Sequence, residues 1–313
     1  TLDKKYQFSD SVNAEDVIHK KADQLYEYWI LVKMLHLLTQ QQQWQLQEGT
    51  SIISLISRFL NNKMSRNLEG SSFRLTHKNV KSGSINMELL YNQKFSNNLI
   101  PDFAFHITVT DGKGEVKKSN WYYLDAKYRN YDSMGDECWY DDINKVAINK
   151  YINRFASGDN PATASFIIHT DKQARYVYFG GYFDKTLSDR LTGYIDDNPK
   201  HKFGSFSFLP NHTENFITFM KLALEYHFMD EKLWQICWDC GSVNTEVNDN
   251  HQTRAKITKY HITCNNCGSF WVRNHCNENS NHKLVKHAIN NYHKETLPGE
   301  PWFVKCPECD YVR

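Results

Sequence analysis

The stretch "LIPDFAFHITV" (residues 99–109), followed after a basic loop by "WYYLDAKYRNY" (121–131), places two aspartates and a lysine in strand-like runs where apolar residues would pack better. Pro101-Asp102 opens the first run, and Asp125-Ala126-Lys127 lies in the second. Strand residues two apart share a face, so Asp125 and Lys127 point the same way and Ala126 points into the opposite layer. A hairpin pairing of the two runs brings Asp102 to the same edge. Carboxylates holding a divalent ion such as Mg²⁺ or Mn²⁺ neutralise a phosphodiester and activate water, and a nearby lysine stabilises the developing charge or orients the water. The same residues also fit a turn after Pro101 and an exposed cross-strand ion pair, so further residues must decide.

Working outward, the runs "SFRLTH" (72–77) and "INMELLYNQ" (85–93) read as strands, with residues 110–120 as a hairpin loop between the two opening stretches. Upstream, residues 13–39 run without Gly or Pro behind an Asn13 cap and predict one long helix, ended by the glutamine-rich "QQQQWQLQ". A second helix is expected over 50–64, after Gly49-Thr50. Downstream come a helix over 141–156, strands at 165–170 and 176–183, and a helix over 215–229. This order predicts an α/β fold, a mixed central sheet flanked by helices.

Two helical faces bear on the chemistry. Glu27 shares a stripe with Leu31, Met34, Leu35 and Leu38, where a carboxylate needs a reason. It reads either as the polar end of the stripe or as a third acid aimed at a metal. Asp142, Lys145 and Asn149 fall on one face of the 141–156 helix, opposite a buried face of Ile148, Tyr151, Ile152 and Phe155.

Composition narrows the class. Among 313 residues, 40% are hydrophobic, 14% aromatic and 23% charged, with a formal net charge of +1, which argues against both a disordered chain and a basic nucleic-acid coat protein. Any nucleic-acid contact is therefore a local patch. The longest apolar stretch, "YWILVKMLHLL", is interrupted by Lys33 and His36 and is too short to span a bilayer. The chain starts at Thr1 rather than Met and reads as a piece of a longer protein, which weakens the absence of a targeting signal as evidence.

The chain resembles the PD-(D/E)xK nuclease superfamily, and within it the McrC-like branch of restriction-system nucleases. The resemblance is carried, in order, by "LYEYWILVKMLHLL", "ELLYNQKF", "LIPDFAFHI", "YYLDAKYR", "DDINK" and "FGSFSFLP", over roughly Asp23 to Pro210. It implies a restriction-endonuclease-like fold and a Mg²⁺-dependent DNA endonuclease. It further implies Asp102 and Asp125 as metal ligands, Lys127 as the catalytic lysine and Glu27 as the supporting acid. Asp142 and Lys145 match a "D-x-N-K" motif that orients the site or contacts DNA. Where the family pattern has tyrosine, this chain has Asn149, and its tyrosine stands two positions later at Tyr151. The resemblance also implies a separate nucleoside-triphosphatase motor, as a subunit or upstream domain, because no phosphate-binding G-x-x-x-x-G-K-[ST] loop occurs in the chain. A homodimer stays open, as do two rivals: a non-catalytic DNA-binding scaffold, and a repair or transposition nuclease.

Past Asp230 the composition switches to Cys, His and Asn, which divides the chain into a nuclease domain (1–230) and a zinc-binding, ribbon-like domain (231–313). Of eight cysteines, six form C-x-x-C pairs here, a spacing that suits metal rather than disulfides and favours a reducing, cytoplasmic setting. "CWDCGS" and "HITCNNCGSFWV" supply Cys237, Cys240, Cys264 and Cys267, four thiolates for one structural zinc, with a glycine after each pair to permit the turn. Cys306 and Cys309 with Cys276 lack a fourth ligand; His275, His282, His287 and His293 all qualify, and His282 is favoured by its short step from Cys276. Two zinc ions are thus expected. Metal is the main source of stability for so small a unit. Its aromatics, Trp234, Trp238, Phe270, Trp271 and Trp302, interleave with Arg and Lys and suit either nucleic-acid contact or packing on the nuclease.

Overall fold

A computed structural model of the chain describes residues 14–47, 70–77, 83–156, 158–171, 178–179, 202–221, 227–228, 236–252 and 258–287. The Asn13 cap, the 50–64 helix, most of the 176–183 strand, and Trp234, His293, Trp302, Cys306 and Cys309 lie outside these residues. Helix α1 (Ala14–His36) runs into a wider π-type turn, Leu37–Gln41, closed by the Gln42 N–H donating to the Leu37 carbonyl at 3.1 Å. Ile30, Leu31, Met34, Leu35, Leu37 and Leu38 on this segment are buried. The glutamine-rich stretch then does more than end a helix. Strand β1 (Trp44–Leu46) follows at once, and its Trp44 is buried against the sheet.

Strands β2 (Ser71–His77), β3 (Ser84–Tyr91), β4 (Phe103–Thr110) and β5 (Val116–Lys127) continue an antiparallel meander from β1. β5 starts inside the stretch expected as loop; the real turn is only Asp111 to Glu115. Asp111 Oδ1 organises it by accepting the N–H groups of Lys113 and Glu115 at 2.9 and 3.0 Å. Ile85, Met87 and Leu89 of β3 point inward while Asn86 and Glu88 stay half-exposed, the alternation of a sheet with one covered face.

After β5 the chain crosses over through short helices α2 (Tyr131–Met134) and α3 (Asp136–Asp142) and a π-helix, Ile143–Ile152, to reach β6 (Ala162–His169). β6 runs parallel to β5, and β8 (Phe203–Ser207) runs parallel to β6, with the two-residue β7 (Tyr178–Phe179) antiparallel at the far edge. The sheet order is β1-β2-β3-β4-β5-β6-β8-β7. The mixed α/β architecture expected from the sequence is what the chain adopts.

Helices cover both faces of the parallel half. Tyr122, Leu124, Phe166, Ile168 and Phe206 pack with α1 and with α4 (Glu214–Phe219), while Ile167 and Phe203 pack with α2, α3 and the π-helix. A strand covered on both sides reads as a continuous apolar run, as "SFIIH" does. A second, four-stranded antiparallel sheet, β9 (Thr245–Gln252), β10 (Thr258–Cys264), β11 (Phe270–His275) and β12 (Lys283–His287), is ordered β12-β11-β10-β9.

Phe166 is fully buried, with ring centroids 6.5 Å from Phe206 and 5.0 Å from Phe219. Phe166→Ala leaves a cavity under α4, and urea unfolding should show a loss of about 3–5 kcal/mol. A change under about 1 kcal/mol would show that this layer is not packed as described.

Candidate active site

The antiparallel register pairs Phe103 with Leu124, so one step further Asp102 stands opposite Asp125. Asp102 Oδ2 accepts the Ala126 N–H at 2.6 Å, which fixes its carboxylate across the mouth of the hairpin. Asp125 is buried, and Lys127, two residues on, forms an ion pair with its Oδ2. The hairpin thus delivers all three groups that its sequence suggested.

Glu27 arrives from the helical layer. The hydroxyl of its neighbour Tyr26 donates into the carbonyls of His169 and Phe208, 2.9 Å from each, and so pins α1 across the C-terminal ends of β6 and β8. Glu27 Oε2 then accepts the Tyr91 hydroxyl at 2.9 Å and the Asn92 amide at 3.3 Å, at the end of β3. Neither partner stood out in the sequence; Tyr91 and Asn92 close the "ELLYNQ" strand, where a polar end is ordinary.

The charges interact. Burial, with the nearby charges of Asp125 and Glu27, pushes Asp102 well above the usual carboxylate range, against the pull of the Ala126 N–H and Lys127. Burial also raises Glu27, outweighing its bonds from Tyr91 and Asn92, with Asp125 and Asp23 adding to the rise. Asp125 goes the other way: burial would raise it, but the ammonium groups of Lys127 and Lys150 and the Tyr151 hydroxyl hold it down. Lys127 would be lowered by burial, yet Asp125, Asp102 and Asp142 raise it and keep it charged.

The crossover segment completes the surroundings. Asp142 is buried, and its Oδ2 accepts Arg129 Nη1 and the Tyr131 hydroxyl, both at 2.6 Å. Lys145 does not join it; it is exposed and pairs with Asp141 at 2.7 Å. Asn149 is exposed as well, whereas Tyr151 is buried and donates to Asp125 Oδ1 at 2.7 Å, and Lys150 Nζ reaches the same oxygen at 3.1 Å. The helix type explains this. Two α-turns span about seven residues, which would align Asn149 with Asp142; the wider i→i+5 turn stretches two turns to about nine and carries Tyr151 there instead. Buried pairs at Asp142-Ile143, Ala147-Ile148 and Tyr151-Ile152 follow the wider period.

Hard oxygen donors from three acids, two of them raised first by burial and then by neighbouring carboxylates, are of the type a Mg²⁺-like ion takes. Asp125 Oδ2 is buried and is taken by the Lys127 ammonium.

A different donor set lies in the second sheet. The sulfurs of Cys237, Cys240, Cys264 and Cys267 all lie within 4.8 Å of one another, with Cys237 to Cys267 at 3.5 Å and Cys240 to Cys264 at 3.6 Å. Sulfurs around a tetrahedral zinc stand about 3.8 Å apart, so the cluster fits one such ion. Each pair sits on the same turn: Gly241 N–H to the Cys237 carbonyl, and Gly268 N–H to the Cys264 carbonyl, both glycines at positive φ. Cys276 is buried against Leu284, and its N–H bonds the His282 carbonyl at 2.8 Å; with Cys306 and Cys309 outside the described residues, only one zinc-type cluster is formed among those described.

The four-cysteine unit is built onto the main sheet. Trp238 and Ile236 belong to the main core cluster, Gln43 Nε2 donates to the Cys240 carbonyl at 2.9 Å, and Gln42 Nε2 donates to the Trp238 carbonyl. Asp239 takes the buried Lys221 ammonium and the Ser269 hydroxyl. Gly241 lies so close to the Gln42 backbone that a Cβ would come within 2.2 Å of its carbonyl oxygen. Trp238 and Trp271, two of the aromatics that could have stacked on bases, are both buried.

A family model described as PD-(D/E)XK nuclease superfamily matches residues 24–151, which contain Glu27, Asp102, Asp125, Lys127 and Tyr151. The match covers less than half of the chain. No curated protein and no solved structure gives a significant match. Among the described residues no helix is long and apolar enough to cross a membrane.

Two tests follow from this geometry. Because Asp102 binds its proton more tightly folded than unfolded, the stability it contributes is complete below the unfolded carboxylate range and is lost as pH rises through the raised folded value. Asp102→Asn keeps an acceptor for the Ala126 N–H and removes the charge. Without added divalent ions, its denaturant stability should therefore exceed wild type by a margin that widens from acid toward pH 8; a constant margin would contradict the crowding. For the cysteine cluster, Cys264→Ser should release one zinc per chain by elemental analysis and lower the melting temperature of the whole protein, not of the cysteine unit alone.

Proposed function

We propose that this protein is a Mg²⁺- or Mn²⁺-dependent DNA endonuclease, the nuclease component of a prokaryotic restriction or anti-phage system of the McrC-like kind. The observation that carries the reading is the convergence of Glu27, Asp102 and Asp125 beside Lys127 from three separate elements. A scaffold that had lost its chemistry would have no reason to keep one buried and two half-buried acids in so crowded a corner.

Asp102 and Asp125 are the residues to hold the divalent ion, with Glu27 supporting it from α1. When bound, such an ion neutralises the phosphodiester and makes a water more acidic. Lys127, kept charged by its carboxylate neighbours, faces the reacting phosphate as an ammonium that orients the water and stabilises negative charge in the transition state. Arg129 and Tyr131, through Asp142, fix the segment that follows Lys127 at the end of β5. The Ala126 N–H and the Tyr91 hydroxyl hold Asp102 and Glu27 at set orientations, so little side-chain freedom is lost on ion binding.

The zinc-ribbon-like unit supports the nuclease by packing: Trp238 fills the main core and Lys221 anchors Asp239. In this reading the energy for translocation comes from a nucleoside-triphosphatase partner, since the chain lacks its phosphate-binding loop.

Plasmid DNA with Mg²⁺ should be cut by the purified protein or by its complex with the motor. Asp102→Ala and Lys127→Ala should each lower the rate by at least about 10²-fold, the size of effect seen when one group stabilising transition-state charge is removed. Retained cleavage in both would refute the site.

A further inference from the structure

Asp125 has more positive partners than its own charge requires. Lys127 pairs with Oδ2, and Lys150 stands 3.1 Å from Oδ1, where Tyr151 also donates. These three groups differ in freedom. Lys127 is tied to the strand that carries Asp125, and the Tyr151 ring packs beside the stacked pair Tyr123 and Phe155, with centroids at 5.9 and 6.4 Å. Lys150 is held by its ammonium alone, over the Tyr151 ring at 4.7 Å, on a flexible stem whose side chain is 36% exposed.

We infer that Lys150 is a second substrate-contacting cation of the site: it yields Asp125 Oδ1 when that carboxylate takes up a divalent ion and moves to an oxygen of the DNA phosphodiester. The inference rests on the nuclease reading above. An oxygen bound to an ion at about 2.1 Å cannot keep an ammonium at hydrogen-bond distance without strong like-charge repulsion. The Tyr151 hydroxyl is neutral and can stay, so it serves as the positioning residue that keeps Asp125 aimed while Lys150 departs. The displaced ammonium is at the solvent-exposed edge of the site, where a phosphodiester must enter. Charge balance points the same way. Glu27, Asp102, Asp125 and one phosphodiester carry four negative charges, and Lys127, Lys150 and a single divalent ion match them, whereas Asp142 is already paired with Arg129.

The test uses the full protein, with Lys150→Gln and Lys150→Arg, and Ca²⁺ as the probe ion. Calorimetry without DNA should show Lys150→Gln binding Ca²⁺ several-fold more tightly, because a competing ammonium is gone. Fluorescence anisotropy in Ca²⁺ should show its affinity for duplex DNA falling about tenfold, with the slope of log K against log salt smaller by about one, the signature of one lost phosphate contact. Lys150→Arg should restore most of the DNA affinity and the slope, and thermal melts identify any variant that has merely failed to fold. Weaker Ca²⁺ binding by Lys150→Gln, or an unchanged salt slope, would reduce Lys150 to a structural tether and overturn the proposal. If wild type neither binds Ca²⁺ nor cuts DNA with Mg²⁺, the nuclease reading itself falls; if wild type does both and Lys150→Gln matches it, only this inference falls.

Discussion

Three carboxylates crowded into one corner, Asp125 buried and Glu27 and Asp102 half-buried, are the constraint on which the rest of the molecule turns. Left alone, Glu27 and Asp102 are driven toward protonation by burial and by nearby carboxylates, and Asp125 by burial. The fold opposes this with donors fixed in the backbone and in neighbouring strands: the Ala126 N–H on Asp102, Tyr91 and Asn92 on Glu27, Lys127 and Tyr151 on Asp125. The residual crowding reduces stability at neutral pH, and a bound cation would relieve it. The surrounding aromatic core offsets the cost.

That core reaches past the main sheet. Trp238, one residue after the first zinc-type ligand, lies in the same cluster as Trp44, Leu37 and Leu38, which continue the helix that carries Glu27. His77, on the strand paired with Trp44, is buried between the Gln42 and Gly241 backbones, and burial lowers its pKa to about 4, so it stays neutral in this joint. Charging it would place an ion in an apolar seam. The cysteine unit is therefore mechanically continuous with the C-terminal end of α1, while Tyr26 holds its middle over β6 and β8. A helix held at these two points presents Glu27 with little play.

The crossover segment shows how backbone form can rescue a displaced side chain. With a tyrosine two positions beyond the place the family resemblance assigns it, an α-helix would turn that hydroxyl away from Asp125. The π-helical stretch adds residues to each turn and returns Tyr151 to the site, bringing Lys150 with it. Wider helical turns of this kind recur at functional sites because they re-aim side chains at the expense of regular geometry.

By itself the sequence determined the mixed sheet, the Pro-Asp and Asp-x-Lys hairpin, the acid on the α1 stripe and the four-cysteine donor set, because period, turn residues and metal-ligand spacing are local properties of the chain. Only the tertiary structure decided which groups attend those acids. Tyr91, Asn92, Lys150 and Tyr151 were invisible as partners, since each lies at least 24 positions from the acid it serves or on a face that α-helical spacing turns elsewhere. The separation of Asp142 from Lys145 and the docking of Trp238 into the main core were equally hidden. Long-range contacts and helix type follow from how layers pack against each other, and no local pattern along one chain encodes that directly.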